Sequence, residues 1–224
     1  MNDSNEGRVG ALSARRHVVR SAVALTAAAL VPRYVRSSTA LRIGTTAVIL
    51  DDQLAFLNAW RAYLESKLGR AVTFVQRRSY REITQLIFSE QLDFAWVCGY
   101  PYARNKAFMR LLATPIYQGK PLYQSYLIVS QEDQQTRSFA DLQGRIFAYS
   151  DPDSNSGFLV PQFDMLREGL NPPALFRKSF FTYAHRKVVA AVATGVAQAG
   201  AVDGYVWETL ARRFPQQTSR TRVA

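Results

Sequence analysis

The chain has 224 residues, of which 48% are hydrophobic and 20% charged, and its formal net charge at neutral pH is +11. This length and composition exclude a disordered tail and allow one large domain or two small lobes with a hydrophobic core. The single cysteine, Cys98, excludes an intrachain disulfide and a thiolate metal cluster. The basic charge alone leaves nucleic acid, an anionic membrane surface and small anions open as partners.

Residues 1–40 have the pattern of an export signal peptide. An arginine-rich stretch, 15–20, precedes an apolar run, 21–31, and a small-x-small cleavage site ends at Ala40. The run is much shorter than the roughly 20 residues that a membrane-spanning helix needs. The arginine pair resembles a twin-arginine signal, although Ala14 stands before it where Ser or Thr is usual. We therefore expect a periplasmic protein, with a disordered N-terminal tail as the alternative and the export route open.

From Leu41 the sequence alternates short apolar runs with helical stretches, a pattern that predicts an α/β fold built on βαβ units. We expect a first lobe over 41–118 and a second lobe over 119–205, with 206–224 returning towards the first. In the first lobe the pattern predicts strands at 41–50, 71–75 and 92–99 and helices at 53–69 and 79–91. In the second it predicts strands at 122–130, 146–150 and 199–207 and helices at 157–170, 184–195 and 206–214.

Four small hydrogen-bonding residues stand directly before the predicted helix at 157–170: Ser154, Asn155, Ser156 and Gly157. The first turn of a helix leaves about four backbone N–H groups without partners and carries a partial positive charge, so it attracts anions. One Ser or Asn is enough for a simple helix cap, and Leu159, three residues after Ser156, excludes the reciprocal capping box. The residues alone leave both a cap and an oxyanion site open.

Five motifs occur together in a recognisable order. They are "LRIGTT" at 41–46, "RRSYREITQLI" at 77–87, "QLDFAWVCGYPYA" at 91–103, "DPDSNSGFLVP" at 151–161, and "HRKVVAAVATG" with "AGAVDGYVW" within 185–207. Together they resemble the phosphate-, phosphite- and phosphonate-type periplasmic substrate-binding proteins of ABC transporters. The fourth is similar to that family's "DP-x-S-x-SG-x-LVP" stretch. The resemblance extends from Leu41 to about Phe214.

The resemblance implies a two-lobed, type 2 periplasmic-binding-protein fold that closes on a small oxyanion. It also implies an ABC permease as partner, a monomer, no cofactor, no metal, no nucleic acid and no enzymatic activity. The ligand residues that it implies are Tyr80, Tyr102 (with Tyr100 as the alternative), Ser154, Asn155, Ser156, Gly157, His185 and Asp203.

The roles of His185 and Asp203 can also be interpreted from residue type and position alone. A neutral imidazole at a helix start can donate a hydrogen bond to a bound anion, because the helix dipole disfavours its protonation. The alternative for His185 is a surface or capping role. Asp203 follows a strand and can orient His185, meet a cationic group of the ligand, or cap the next helix.

Three positions depart from the family's pattern. Gln198 stands where members of the family usually have an acidic residue, and Tyr205 lies near the position where members that bind aminophosphonates have a carboxylate. Asp153 places a negative charge beside the proposed anion site. These departures argue against aminoethylphosphonate and favour phosphite, phosphate or methylphosphonate.

The segment after the last predicted strand is short. In two-lobed binding proteins of this topology the chain crosses back to complete the first lobe, whereas only "ARRFPQQTSRTRVA", 211–224, follows here. We therefore expect an incomplete first lobe of marginal stability.

Three other classes of function are alternatives. For an enzyme, His185 is the only histidine after residue 40, and no nucleophile elbow, Walker loop or H-E-x-x-H pair occurs. For nucleic acid, the arginine pairs are scattered and are best interpreted as solvated charge. The third is a sensory module that reports ligand occupancy to a signalling partner instead of a permease.

Overall fold

The structure, a computed structural model, describes residues 40–46, 48 and 54–224. The predicted export signal therefore lies, except for Ala40, outside the described residues. Within these ranges, no helix is long and apolar enough to cross a bilayer.

The first sheet contains three parallel strands, β1 (Leu41–Thr45), β2 (Val72–Gln76) and β3 (Phe94–Trp96), in the order β2-β1-β3. Three helices follow these strands: α1 (Leu54–Leu68), α2 (Tyr80–Phe88) and α3 (Gly99–Asn105). Helix α1 ends where predicted, because Gly69 adopts a φ of +62° that side chains disfavour. A small core, built on Leu41, Ile43 and Val72, lies against β1 and β2.

The second sheet contains five strands in the order β6-β5-β7-β4-β8. They are β4 (Ser125–Ser130), β5 (Ile146–Tyr149), β6 (Lys178–Phe181), β7 (Ala199–Asp203) and β8 (Thr221–Val223). Strand β5 runs parallel to β6 and β7, whereas β4 runs antiparallel to β7 and β8. The helices are α4 (Val160–Arg167), α5 (Pro172–Leu175), α6 (His185–Ala193), α7 (Gly204–Arg213) and α8 (Pro215–Thr218). The predicted α/β class is confirmed.

The C-terminal segment differs from the prediction. Residues 206–224 do not return to the first sheet, because β8 pairs with β4 at the edge of the second. Two side chains secure this position: Arg222 donates to the backbone carbonyls of Asp133 (2.5 Å) and Thr136 (2.8 Å), and Trp207 donates to Thr221 (3.1 Å). The predicted last strand, 199–207, ends at Asp203, where α7 begins.

The helix predicted at 157–170 also differs. It starts with a single π-helical turn, Asn155–Leu159, and then continues as α4, which ends at Arg167. The backbone N–H of Leu159 donates to the carbonyl of Ser154 at 3.0 Å, the i→i+5 spacing of a π turn.

Polar residues stand at strand ends of both sheets, next to several of the predicted ligand residues. The carboxyl ends of parallel strands share one edge of a sheet. This edge of the first sheet carries Thr45, which ends β1, the loop from β2 to Tyr80, and Cys98, which follows β3. Ser150 follows β5 and Asp203 ends β7 at the corresponding edge of the second sheet.

Candidate functional site

Tyr80 of α2 contacts His185 of α6, and this contact joins the two sheet regions. A capping box between Ser79 and Glu82 starts α2 and thereby places Tyr80 at the first position of the helix. Both rings are fully buried, and the Tyr80 hydroxyl lies 3.2 Å from Nε2 of His185.

The hydrogen bonds of His185 indicate its protonation state. Its Nδ1 accepts the backbone N–H of Asp203 at 3.0 Å, so the proton of the neutral ring is on Nε2 and is donated to the Tyr80 oxygen. Burial lowers the pKa of His185 to about 3, which keeps the ring uncharged at neutral pH. The hydroxyl proton of Tyr80 is thus left to donate to another group.

Asp203 connects three elements of the site. One carboxylate oxygen accepts the backbone N–H of Tyr205 at 2.9 Å and caps α7, and the other accepts the Ser156 hydroxyl at 3.3 Å. Burial raises the pKa of Asp203 to about 6. Of the three roles considered from the sequence, helix capping is therefore present, and His185 is oriented by the backbone of Asp203 instead of its carboxylate.

The turn at 154–157 combines capping with contacts across the site. The Ser154 hydroxyl accepts the backbone N–H of Gly157 at 3.0 Å, which is the predicted cap. The backbone N–H of Asn155 donates to the sulfur of Cys98 (3.4 Å), and its side-chain amide donates to the hydroxyl of Tyr123 (3.3 Å). The turn therefore contacts the end of β3 as well as its own helix.

Only glycine fits at position 157. A Cβ there would lie 1.8 Å from the hydroxyl oxygen of Ser150 and 3.0 Å from Cε1 of His185. The Ser150 hydroxyl is buried and has no hydrogen-bond partner among the described residues, and the same holds for the hydroxyls of Thr45 and Thr46. Because buried polar groups are normally paired, these hydroxyls are candidate ligand donors.

Two acidic residues of the "DPD" motif contact the first sheet region. Asp151 accepts the backbone N–H of Tyr80 at 3.1 Å, and burial raises its pKa. Asp153 pairs with Arg81 (3.7 Å) and Arg104 (3.9 Å). The negative charge of Asp153 is therefore compensated by arginines from α2 and α3.

Seven of the eight predicted residues are brought together: Tyr80, Ser154, Asn155, Ser156, Gly157, His185 and Asp203. Tyr102 lies on α3, and its described hydrogen bond is from its backbone N–H to the carbonyl of Cys98. Its role as a ligand residue stays a prediction, as do the ligand roles of the other seven. The Tyr100 hydroxyl accepts from Arg104 at 3.4 Å.

Sequence reasoning missed several side chains of this cluster, among them Cys98, Tyr123, Ser150 and Asp151. Asp151 begins the recognised motif and Ser150 directly precedes it, so the position of the motif could have indicated both residues. Cys98 and Tyr123 meet Asn155 only through the folded chain. The described residues contain no group of three or more His, Cys, Asp or Glu side chains that could hold a metal ion.

Comparison with known proteins shows the family of the chain. The model of the family described as "ABC transporter, phosphonate, periplasmic substrate-binding protein" matches residues 44–224. The chain is 28% identical over 159 residues to the phosphate-import protein PhnD of Mycolicibacterium smegmatis, an alignment that covers 66% of this chain and 50% of that protein. The chain thus spans about half the length of this curated relative.

Solved structures show the same fold. A binding-protein component of an ABC phosphonate transporter from Pseudomonas aeruginosa is similar with a TM-score of 0.73 and 20% identity, covering 82% of this chain and 63% of that one. PhnD1 from Prochlorococcus marinus, in complex with methylphosphonate, is similar with a TM-score of 0.71 and 21% identity, covering 82% and 71%. The predicted type 2 periplasmic-binding fold is confirmed.

Proposed function

The chain belongs to the family of phosphonate-binding periplasmic substrate-binding proteins of ABC transporters, and we propose that it captures a small phosphonate-like oxyanion and delivers it to an ABC permease. The proposal includes export to the periplasm and action as a monomer. Members of this family are transport proteins that bind a substrate, and binding without bond-making is the proposed mechanism.

One observation carries the proposal: an unpartnered, buried hydroxyl, that of Ser150, lies against Gly157 at the start of a helix. The helix start supplies a partial positive charge, and Ser150 supplies a donor that no described protein group uses. Tyr80 and His185 lie beside this point, and their hydrogen bond leaves the phenolic proton available.

Enclosure would strengthen each of these contacts. Ser156, His185 and Tyr80 are almost completely removed from solvent, so a donated hydrogen bond acts there in a medium of low dielectric constant. We infer that the two sheet regions separate to admit the ligand and close over it, as in other hinge-closing binding proteins. A sensory role, with a signalling partner instead of a permease, is the second candidate, and it predicts the same ligand.

Isothermal titration of the purified chain with methylphosphonate, phosphite, phosphate and sulfate tests the proposal. We expect saturable binding of at least one of the phosphorus oxyanions. Ser150→Ala should weaken it about tenfold, or about 1.4 kcal/mol, because a charge-assisted hydrogen bond from the unpartnered hydroxyl to the anion is removed. The exposed Ser219, directly after α8, provides the matched control Ser219→Ala, which should bind as the unaltered chain does. Folded protein that releases no heat with any of the four anions would contradict the proposal.

A further inference from the structure

We propose that the segment that connects the two sheet regions, residues 106–122, is a docking surface for an anionic lipid bilayer. This connecting segment lies between the end of α3 and the start of β4. The inference goes beyond the proposed function and does not depend on the oxyanion site. It assigns a partner to a surface that the candidate site does not use.

The connecting segment exposes large apolar side chains. All of its residues are exposed except Met109 and Tyr117. Five large apolar side chains are between 57% and 78% exposed: Phe108, Leu111, Leu112, Ile116 and Leu122. Single apolar residues on a protein surface are normal, whereas a concentration of them in one short segment marks an interaction site.

The charged residues of the connecting segment are all basic. They are Lys106, Arg110 and Lys120, and no acidic residue occurs between Asp93 and Glu132. Within the part of the chain that the structure describes, these three cations form no ion pair. Cations interspersed with apolar side chains are typical of segments that bind anionic bilayers. The cations meet the lipid headgroups, and the apolar side chains enter the boundary between headgroups and acyl chains.

Both ends of the connecting segment are anchored to the protein. The ring of Phe108 packs against that of Phe88 in α2, with the ring centroids 5.3 Å apart. Near the other end, the Tyr117 hydroxyl donates to the carboxylate of Glu208 in α7 at 2.7 Å. Residues 109–116, in contrast, form no hydrogen bond with other described residues. The apolar side chains between the two anchors are therefore held at the surface, where a partner can contact them.

The composition of the connecting segment favours a bilayer over two other partners. A second copy of the chain would bring like charges together, which disfavours association. Single-stranded nucleic acid is bound by aromatic side chains on which the bases stack, whereas the exposed apolar side chains here are aliphatic except for Phe108. An anionic bilayer complements both the positive charge and the aliphatic side chains.

Quenching of tryptophan fluorescence by brominated lipid tests the proposal on the full chain. Leu112→Trp places a probe in the connecting segment, and Val196→Trp, at an exposed position before β7, is the matched control. Both variants contain residues 1–40, so any membrane binding by the predicted export signal is the same in both. With vesicles of brominated phosphatidylcholine and phosphatidylglycerol in equal parts, we expect quenching of the probe at position 112 and none at position 196.

The contribution of charge is measured with the same probe. Each cation near an anionic surface should strengthen binding about fivefold, so vesicles of brominated phosphatidylcholine alone should need about 100-fold more lipid for half-maximal quenching. Combining Lys106→Glu and Arg110→Glu with Leu112→Trp should raise the required amount of anionic lipid at least about 25-fold. Arg177→Glu with Lys178→Glu makes the same change of charge at exposed positions around the start of β6. This control should raise it no more than about threefold, because charges away from the contact are screened by salt.

The outcomes separate this inference from the proposed function. Quenching at neither position, equal quenching at both, or equal quenching by the two kinds of vesicle would overturn the docking surface. A dimer in sedimentation experiments that Leu111→Ser with Leu112→Ser converts to monomer would also overturn it, because the segment would then contact a second copy. These exposed substitutions should leave the circular dichroism spectrum unchanged. Binding of methylphosphonate to the same variants tests the proposed function separately and should not change.

Discussion

Around the five-stranded sheet, Phe147, Met165 and Leu210 are completely buried, whereas around the three-stranded sheet large side chains such as Phe88 and Phe94 stay more than 40% exposed. Among the residues that the structure describes, the first sheet's own buried cluster consists of Leu41, Ile43 and Val72. Two of its side chains, Val48 and Tyr80, instead belong to a cluster that is otherwise formed by the second sheet and its helices. The comparison teaches that the first region obtains part of its burial at the candidate site itself, so that stability and binding are coupled there.

The largest expected effect tests the difference between the two cores. Phe147→Ala should lower the free energy of unfolding by about 3–5 kcal/mol, because it leaves a cavity beside Phe176 and Tyr149. Phe88→Ala, a matched change in the first region at a half-exposed ring, should cost about 1 kcal/mol or less. Urea unfolding measures both. Equal losses would show that the first region is as well packed as the second.

The pH dependence of stability sharpens the comparison at the junction. Burial raises the pKa of Asp203 from 3.8 to about 6, so the free energy of unfolding decreases as the pH rises through that range and the carboxyl loses its proton. Burial lowers the pKa of His185 from 6.5 to about 3, so the free energy of unfolding decreases as the pH falls from 6.5 to about 3. Between about pH 4 and pH 6 the two slopes, each about 1.4 kcal/mol per pH unit, oppose one another.

In the Asp203→Asn variant, the pH dependence of stability that His185 causes should no longer be offset by that of Asp203. Relative to the unaltered chain, this variant should lose about 1.4 kcal/mol of stability per pH unit as the pH is lowered from about 6 to about 4. Urea unfolding at several pH values measures the difference, and Asp164→Asn should follow the unaltered chain. Parallel curves for Asp203→Asn and the unaltered chain would contradict the burial of Asp203.

A smaller effect is expected at Gly157, in the turn whose neighbouring residue Asn155 contacts the first region. Gly157→Ala should destabilise the chain by about 1–3 kcal/mol, because the added methyl group overlaps the Ser150 side chain. Gly99→Ala is the matched control: no atom lies within 4 Å of its added Cβ, and the position is at the start of α3. It should change stability by no more than about 0.5 kcal/mol. Thermal unfolding that ranks the two variants equally would show that the turn can shift without cost.

The smallest expected effect concerns the hydrogen bond between the two regions. Tyr80→Phe keeps the buried ring but leaves Nε2–H of His185 without its acceptor, which should cost about 1–2 kcal/mol in urea unfolding. Tyr63→Phe, at an exposed ring of α1, should cost almost nothing. If both variants unfold alike, the contact between Tyr80 and His185 does not stabilise the closed arrangement.

The regular elements were predictable because their signals are local. The apolar spacing and the final glycine of α1, and the serine and glutamate that cap α2, are read within one helix. Strand β8 was missed for the opposite reason. The three residues of β8, "TRV", are too few to show a periodic pattern. The strand is held by contacts with residues elsewhere in the chain, from Thr221 to Trp207 and from Arg222 to Asp133.

The site was predictable to the extent that motifs carry it. The "DPDSNSG" stretch and the residues at positions 80, 185 and 203 are recognisable in the sequence, and the structure brings them together. Cys98 and Tyr123 were not recognisable as partners of Asn155, because their contacts depend on where the end of β3 and the segment before β4 pass the turn. Such contacts depend on tertiary packing, which cannot be inferred from the order of residues in one segment.

The π-helical turn at Asn155–Leu159 determines how the length of this segment can change. A π turn accommodates one residue more than an α-helical turn, so it is equivalent to a single-residue insertion in the helix. Deleting one residue from it would convert the turn to regular α-helix and leave the later side chains of α4 in their present directions, with Met165 still buried. Adding a residue to a regular turn of α4 would instead rotate the side chains that follow it by about 100° around the helix axis. In-frame loss of one codon at the π turn should therefore disturb the packing of α4 less than in-frame gain of one codon within α4.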